Sequence, residues 1–203
     1  YEIGGRIGLD ARGHRLEASL TAYRVDCRNQ QMTVFPYGNG TGRMMANAGR
    51  SRSLGVEAEA SWMWKGLSVS FAGNLMDARF VDYNDGREDW SGNRIPYSPE
   101  STLYFRCGYK FLTSGRFLRS VSLNADINRS GRIYWNEAGD ISQSPYSLIG
   151  ADVRLATSKA ELWLRGQNLA DTEYSVFYLK SVGHSFFQTG KPRRFTIGLS
   201  INL

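Results

Sequence analysis

The feature that most constrains the fold of this chain is the two-residue period of its apolar side chains. It is clearest in residues 195–203, where Phe, Ile or Leu alternates with Thr, Gly, Ser or Asn. The same period recurs in eight further segments, which are residues 3–9, 16–22, 54–62, 67–75, 103–111, 121–128, 149–155 and 160–164. Because side chains alternate between the two faces of a β-strand, each segment has one apolar and one polar face. The pattern predicts nine strands, and no segment of this length follows a helical period, so we expect an all-β fold.

The connections between these segments alternate between short and long. The short ones lie at residues 10–13, 64–66, 112–117 and 157–159, and the long polar ones near 37–42, 83–98, 136–145 and 179–191. Outer-membrane β-barrels have short turns at the periplasmic end and long loops outside the cell, whereas a soluble β-sandwich has no reason to sort its connections in this way. The alternation therefore favours an antiparallel transmembrane β-barrel segment whose first and last strands both run towards the periplasm.

The odd number of strands indicates an incomplete barrel. Bacterial barrels have an even number of strands and both termini in the periplasm. The chain begins at Tyr1 inside a strand pattern, with no initiating Met and no signal segment. We therefore expect further strands before Tyr1, or another piece that closes the barrel. A mean hydropathy of −0.40 suggests a soluble protein, but averaging hides the lipid-facing residues of a barrel.

Charged residues of the strands share one face. Glu57, Arg106, Lys110, Asp152 and Arg165 all lie on the side opposite the apolar row. An Arg or Lys that faces lipid at the bilayer midplane costs about 2–4 kcal/mol, so this face is expected to be the lumen, with cross-strand ion pairs. The net charge of +6 comes from scattered basic residues without a run of five, so nucleic-acid binding is not expected.

The residues that could carry chemistry do not form a catalytic site. His14 falls beside a short turn and His184 in a long loop, so they are expected at opposite ends of the strands. No nucleophile motif such as G-x-S-x-G is present, so an enzyme is not expected. Cys27 and Cys107 are predicted to point to opposite faces, which disfavours a disulfide.

No cofactor or metal site is expected either. The sequence has no His, Cys and carboxylate cluster with the spacing of metal ligands. Asp85, Glu88 and Asp89 share one long loop. Solvated loop charges explain them, and a Ca²⁺ site in residues 83–89 is the alternative, because oxygen-rich loops can bind this ion.

Aromatic side chains concentrate in the long loops. The predicted ligand-binding residues are Tyr83, Trp90, Tyr134, Trp135, Tyr178, His184 and Phe186, with Phe187 beside them. Aromatic rings in loops offer a ligand large and rigid contact areas. The same side chains could instead form the aromatic girdle of a barrel or pack one loop on another, so both interpretations stay open.

Four short motifs follow one another along the chain. They are Asn47-Ala48-Gly49 with Leu54-Gly55-Val56-Glu57, Gly92-Asn93-Arg94-Ile95-Pro96-Tyr97-Ser98-Pro99, Asn168-Leu169-Ala170-Asp171-Thr172-Glu173-Tyr174 and Gly190-Lys191-Pro192-Arg193-Arg194. In order and spacing they resemble motifs in the final third of TonB-dependent outer-membrane receptors. Gly55 and Gly198 would relieve crowding or let a strand bend. Asn168 and Asp171 would bond backbone groups where a strand leaves its regular path.

The last strand is similar to the barrel-assembly signal of outer-membrane proteins. That signal has a polar residue, then Gly, then two apolar residues that alternate up to the end. Its counterparts here are Thr196, Gly198, Ile201 and Leu203, and Leu203 stands where an aromatic residue is usual.

The resemblance implies a receptor in the outer membrane of a Gram-negative bacterium. Residues 1–203 would be the C-terminal portion of its 22-stranded barrel, without the plug and the N-terminal strands. Such a receptor binds a scarce small-molecule nutrient outside the cell and imports it with energy from the TonB complex, which acts through the plug. Iron–siderophore complexes are the first expectation, and cobalamin and glycans stay open.

The resemblance also implies partners other than the nutrient. The barrel-assembly machinery would read the last strand, lipid and lipopolysaccharide would surround the barrel, and the polar face would contact the plug. The excess of Arg would suit an anionic ligand or lipopolysaccharide.

Two other classes of protein stay open from the sequence. One is a small self-contained outer-membrane barrel with a structural or passive-pore role, which would show an even and closed set of strands. The other is a soluble β-sandwich, in which the apolar row around Phe105, Leu123, Val153 and Ile197 would be buried between two protein layers.

Overall fold

The chain forms β-strands from one end to the other. The structure, a computed structural model, describes residues 1–29, 31–34, 44–47, 49–85, 88–181 and 183–201. In chain order the strands are β1 (Glu2–Ala11), β2 (His14–Arg28), β3 (Gln31–Val34), β4 (Met44–Asn47), β5 (Arg50–Trp64), β6 (Leu67–Asp82), β7 (Ser101–Leu112), β8 (Leu118–Ser130), β9 (Ile133–Tyr134), β10 (Ser142–Gln143), β11 (Tyr146–Thr157), β12 (Ala160–Gln167), β13 (Ser175–Ser181), β14 (His184–Thr189) and β15 (Arg194–Ile201). Among the residues described, no helix is long and apolar enough to cross a membrane.

Nine of these strands pair in a single sheet, in the order β1, β2, β5, β6, β7, β8, β11, β12 and β15. Each is antiparallel to its neighbours. The nine predicted strands and the all-β fold are therefore confirmed. The predicted segment 195–203 is seen as far as Ile201, and residues 202 and 203, including Leu203 of the predicted assembly signal, lie outside the described residues.

Short and long connections alternate as predicted. Residues 12–13, 65–66, 113–117 and 158–159 are the short turns, and we call their end of the sheet the turn end. The long connections lie at the opposite end, the loop end, and contain the pairs β3–β4, β9–β10 and β13–β14. The predicted loop at residues 37–42 lies outside the described residues.

One face of the sheet is apolar and open. Phe105, Leu123, Val153 and Ile197 lie on it and are 40, 44, 40 and 70% exposed. Register places Leu123 opposite Val153, so the apolar row continues from strand to strand. Exposing such a surface to water costs about 25 cal/mol per Å², whereas lipid tails are as apolar as the side chains themselves. The β-sandwich interpretation is wrong, because it required these four side chains to be buried between two layers.

Apart from Arg24, Asp26 and Arg52, which pair with one another on the apolar side towards the loop end, most charged strand residues lie on the opposite, polar face. Register also places Cys27 on this face and Cys107 on the apolar one. Both thiols are free. The predicted separation of the two cysteines is therefore confirmed.

Two glycines of the first motif are required by close packing. Gly49 has a φ of 55°, and a Cβ there would collide with the carbonyl oxygen of Asp82. Gly55 lies beneath the ring of Tyr23 in the adjacent strand, and a Cβ would collide with that ring. The Tyr23 hydroxyl donates to Asn74 Oδ1 at 3.3 Å, which holds the ring in place. The predicted relief of crowding at Gly55 is confirmed.

The third and fourth motifs pack together where β12 ends and β15 begins. Asn168 is buried and has a φ of 49°. Its Nδ2 donates to the carbonyl oxygens of Thr172 at 3.0 Å and Lys191 at 3.1 Å. Asp171 Oδ1 accepts the amide of Arg193 at 2.8 Å. Both side chains bond backbone at the break in the strand path, as predicted, and they fix where β15 starts.

Candidate functional site

The connection between β6 and β7 carries a small aromatic core at the loop end. Phe80 and Tyr83 are buried with ring centroids 4.7 Å apart, and Trp90 packs against them. The Trp90 amide donates to the Tyr83 carbonyl at 2.8 Å, and its indole donates to Asp85 Oδ2 at 3.0 Å. Burial raises the pKa of Tyr83 to about 12, helped by the negative charges of Glu137 and Asp85.

Acidic residues of the same connection take part in its folding. Asp85 Oδ1 accepts the amide of Glu88 at 2.9 Å, and Asp89 Oδ1 accepts the amide of Ser91 at 2.9 Å. Hydrogen bonds from the side chain and backbone of Ser91 lower the pKa of Asp89. Within the described ranges, no group of three His, Cys, Asp or Glu side chains is placed to hold a metal ion.

Tyr97 joins this connection to the two long connections that follow it. Its hydroxyl donates to the carbonyl oxygen of Tyr178 at 2.5 Å, and its amide donates to the carbonyl of Tyr134 at 2.8 Å. Its ring lies 5.3 Å from that of Trp135 and 5.8 Å from that of Phe177, between centroids. Tyr97 has a φ of 64°, which a bulky residue adopts only where its surroundings hold it. These contacts join three long connections into one layer, which we call the loop layer.

The β13–β14 hairpin is hydrogen-bonded to both of the other connections of the loop layer. The Ser175 amide at its start donates to Gln143 Oε1 at 2.9 Å. Tyr178 is buried, with its ring 4.9 Å from that of Phe187 and its hydroxyl 3.2 Å from the Ser185 hydroxyl. These contacts hold the hairpin in one position against the neighbouring connections.

The predicted ligand-binding residues divide into two groups. Those packed inside the loop layer are Tyr83, Trp90, Tyr134, Trp135 and Tyr178. His184 and Phe186 are exposed on β14. Tyr83, Trp135 and Tyr178 of the packed group are buried, whereas Trp90 and Tyr134 are partly exposed. Ligand contact stays a prediction for all seven.

Sequence reasoning missed two aromatic residues of the loop layer. Tyr97 and Phe177 contact each other and remain 48 and 43% exposed. The only signal in the sequence was the Arg-x-Pro-Tyr-x-Pro motif, which marks Tyr97 as structural. Phe177 is one of several aromatic residues near the outer strand ends, and the sequence does not show that it contacts Tyr97, because that depends on how the β13–β14 hairpin folds back.

A buried ion-pair network lies on the polar face. Arg165 bridges two carboxylates, at 2.9 Å from Asp152 Oδ1 and 2.9 Å from Asp126 Oδ1. Arg106 bridges the same pair, at 2.7 and 3.4 Å. The Asp126 and Asp152 side chains are only 2 and 1% exposed. The predicted cross-strand ion pairs are confirmed, and they connect β7, β8, β11 and β12.

Further side chains complete and neutralise the network. Asn124 Nδ2 donates to Asp152 Oδ2 at 2.7 Å. Arg154 lies 3.2 Å from Asp152 and 3.2 Å from Glu161. With these members the arginines and carboxylates balance, so the network braces the wall and offers no unpaired charge to a ligand.

Gly150 leaves the space that the ion-pair network occupies. A Cβ at this position would lie 2.8 Å from Asp126 Oδ2 and 3.0 Å from Arg165 Nη2. A buried ion pair contributes little net stability when intact, but removing one partner costs about 3–5 kcal/mol because a charge is left uncompensated. Loss of any one buried carboxylate of the network is therefore expected to destabilise the sheet.

Comparison with known proteins identifies the family to which the chain belongs. Residues 1–169 match the family model described as TonB dependent receptor-like, beta-barrel. The chain belongs to this receptor family. It is an outer-membrane protein of a Gram-negative bacterium. The predicted family and localisation are confirmed, and the family consists of transport receptors rather than enzymes.

Curated relatives of this receptor chain include pesticin receptors. That of Yersinia enterocolitica is 24% identical over 208 residues, covering 100% of this chain and 28% of the relative. That of Yersinia pestis is 25% identical over 222 residues, covering 100% of this chain and 31% of the relative. The chain thus spans less than a third of the length of these relatives.

Solved structures show the same fold. The ferric yersiniabactin uptake receptor FyuA from Yersinia pestis superposes with a TM-score of 0.71 at 19% identity, over 98% of this chain and 29% of that one. The siderophore receptor PiuA from Acinetobacter baumannii gives a TM-score of 0.72 at 17% identity, over 98% and 27%. The nine-stranded sheet is therefore a section of a TonB-dependent receptor barrel wall.

Proposed function

We propose that this chain is part of a receptor that imports a scarce nutrient across the outer membrane with energy supplied through TonB. The observation that carries the proposal is the combination of the loop layer with the sheet beneath it. Tyr97 joins the connections of the loop layer, and the sheet has one apolar face and one polar face braced by ion pairs. A wall of this kind separates lipid from a polar interior, while the aromatic loops stand where a ligand would arrive.

Iron–siderophore complexes are the nutrient class that we propose first. Support comes from the names of the relatives, which include a ferric yersiniabactin uptake receptor, a ferric-catecholate import receptor and a ferripyoverdine receptor. The formal net charge of +6 suits an anionic complex, because Arg binds anionic oxygens in a bidentate manner. Cobalamin and glycans are the ligands to test beside it.

The exposed aromatic residues are the proposed points of ligand contact. Tyr97, Phe177, His184 and Phe186 present rings at the surface of the loop layer. Flat aromatic surfaces suit the planar chelating groups of siderophores, because stacked rings bury apolar area without losing hydrogen bonds. The buried aromatic residues would hold these rings in position.

Residues 1–203 are proposed to be the C-terminal portion of the receptor barrel, with the plug and the N-terminal strands elsewhere in the full-length protein. In the described chain β1 and β15 form the two edges of the sheet. Edges of this kind need partners in a membrane, because unpaired backbone groups are costly in lipid. On this proposal the TonB complex acts through the plug. Lipid and lipopolysaccharide surround the wall. The protein is proposed to have no enzyme activity and to bind no cofactor or nucleic acid.

The last strand is proposed to be read by the barrel-assembly machinery. Thr196 and Gly198 face the polar side, and Ile201 faces lipid. A strand at the edge of the sheet, with this alternation, offers both free backbone groups and a defined face to an assembly partner.

Binding by the full-length receptor tests the proposal directly. Quenching of intrinsic tryptophan fluorescence would be titrated with ferric phenolate, catecholate and hydroxamate siderophores, and with cobalamin and oligosaccharides as comparators. We expect saturable binding of one ferric siderophore class and weaker binding of its iron-free form. Saturable binding of cobalamin or an oligosaccharide, without binding of any ferric siderophore, would show that the substrate class proposed here is wrong.

Growth separates energy-coupled uptake from binding. A deletion strain would be grown with the bound ferric siderophore as sole iron source, with and without a plasmid copy of the gene, in strains with and without TonB. We expect growth only when both are present. Unchanged growth after deletion would contradict the proposal, and growth that needs the gene but not TonB would favour the passive-pore alternative.

A further inference from the structure

Every short turn of the sheet carries one basic residue and no acidic one. The turns are residues 12–13, 65–66, 113–117 and 158–159. Their basic residues are Arg12, Lys65, Arg116 and Lys159, and all four are exposed. The turn end of the wall thus presents one cation for each hairpin.

Two of these basic residues have a left-handed backbone conformation, which Arg and Lys rarely adopt. Arg12 has a φ of 53° and Lys65 a φ of 54°. Left-handed positions in turns favour Gly, Asn and Asp, which pay the smallest steric penalty. Asn29, with a φ of 56°, follows that preference. Turn formation alone would favour Asn or Asp at positions 12 and 65, so the geometry of the turns does not explain the choice of Arg and Lys.

An aromatic stack lies directly beside these two turns on the apolar face. His14 is parallel to Trp64, with ring centroids 5.3 Å apart, and to Trp62, at 5.9 Å. The Trp62 indole donates to His14 Nδ1 at 3.3 Å. Lys65 Nζ lies over the Trp64 ring, 4.7 Å from its centroid, in a cation–π contact.

Pairing of β2 with β5 brings the two turns together. His14 is directly opposite Trp64, so the turns that carry Arg12 and Lys65 lie next to the stack in neighbouring hairpins. Two strand spacings separate them, about 10 Å. The carboxylate of Asp10 on β1 lies on the polar face and is paired with Arg15 at 3.2 Å, so Arg12 and Lys65 share no ion pair with it.

We propose that Arg12 and Lys65, with the His14–Trp62–Trp64 stack, bind the phosphate of an anionic phospholipid headgroup in the leaflet at the turn end. Trp rings favour the boundary between acyl chains and headgroups, and cations just beyond that boundary attract anionic lipid. Arg116 and Lys159 extend the attraction along the next hairpins. The inference rests on the outer-membrane placement of the wall and is independent of the nutrient.

Native mass spectrometry of the full-length receptor in detergent tests this site. The protein would be titrated with phosphatidylglycerol and with phosphatidylcholine of the same acyl chains. We expect retention of phosphatidylglycerol to exceed that of phosphatidylcholine about fivefold, falling towards equality at high salt. Equal retention by the unaltered protein would overturn the proposal.

The decisive variant is Arg12→Asn with Lys65→Asn. It removes both charges while placing a residue that suits left-handed backbone in each turn, so the fold is expected to be as stable or more stable. The preference for phosphatidylglycerol should fall to near one. A variant that folds and keeps the preference would contradict the proposal, and Arg12→Gln with Lys65→Gln repeats the test should the first variant fail to fold.

Matched controls separate this site from other sources of the same signal. Lys180→Gln with Lys191→Gln removes two cations at the loop end and should leave the preference unchanged. Loss of the preference in this control would mean a nonspecific charge effect. Displacement of phosphatidylglycerol by inorganic phosphate alone would show that the site takes a free anion and not a lipid.

Discussion

Trp163 of β12 lies over Gly198 of β15, its directly paired neighbour, and a Cβ at position 198 would collide with the indole. Both residues face the polar side of the wall, where Tyr23 covers Gly55 in the same manner. Glycine weakens a strand when its backbone is left open, and here an aromatic ring on the next strand covers it. Gly198 also belongs to the predicted assembly signal, so its role has two separable explanations.

Replacement of Gly198 by Ala should destabilise the wall. The new methyl group forces the Trp163 indole out of its position, an overpacking cost of about 1–3 kcal/mol. Urea unfolding of the full-length receptor, followed by the loss of native electrophoretic mobility, would measure the change. Trp163→Leu with Gly198→Ala removes the collision and should recover most of the loss. A double variant as poorly inserted into membranes as Gly198→Ala would instead support recognition of Gly198 during assembly.

Trp163 also shows where sequence reasoning succeeds and where it ends. The two-residue period is local, so it predicted all nine strands of the sheet and left Trp163 outside the apolar row. The contact with Gly198 depends on the register between strands, which the period of one strand does not contain. The period likewise does not predict the contacts of Tyr97 in the loop layer. Tyr97 has a left-handed backbone conformation and contacts two connections that come later in the chain. Motif resemblance located Tyr97 but could not show what it touches.

The ion-pair network should respond strongly to loss of one carboxylate. Asp152→Ala leaves Arg106 and Arg165 with only Asp126 between them, so we expect a loss of about 3–5 kcal/mol in the free energy of unfolding. Asp10→Ala is the matched control, because it breaks an exposed ion pair with Arg15 and should cost no more than about 1 kcal/mol. Guanidinium unfolding in detergent measures both. Equal effects would mean that the network does not brace the wall.

Tyr97 should couple the mobility of separate connections in the loop layer. Tyr97→Ala removes its ring contacts and its hydrogen bond to Tyr178, so amide hydrogen exchange should rise in residues 175–189 as well as near position 97. Tyr97→Phe loses only the hydrogen bond, about 0.5–1.5 kcal/mol, and should show a smaller rise. Phe186→Ala, at an exposed ring, is the control. A rise confined to the residues beside position 97 would contradict the coupling.

Alkaline pH should open the aromatic core around Tyr83 well above the pH at which ordinary tyrosines ionise. Burial raises the pKa of Tyr83 from 10 in the unfolded chain to about 12 in the folded one. The neutral hydroxyl therefore contributes stability that is fully present below pH 10 and is lost as the pH rises through about 12. The difference in tyrosinate absorbance between the unaltered protein and Tyr83→Phe should have its midpoint near pH 12, and near pH 10 in denaturant. A midpoint near 10 in the folded receptor would mean that water reaches Tyr83, and that the core between β6 and Trp90 is open in solution.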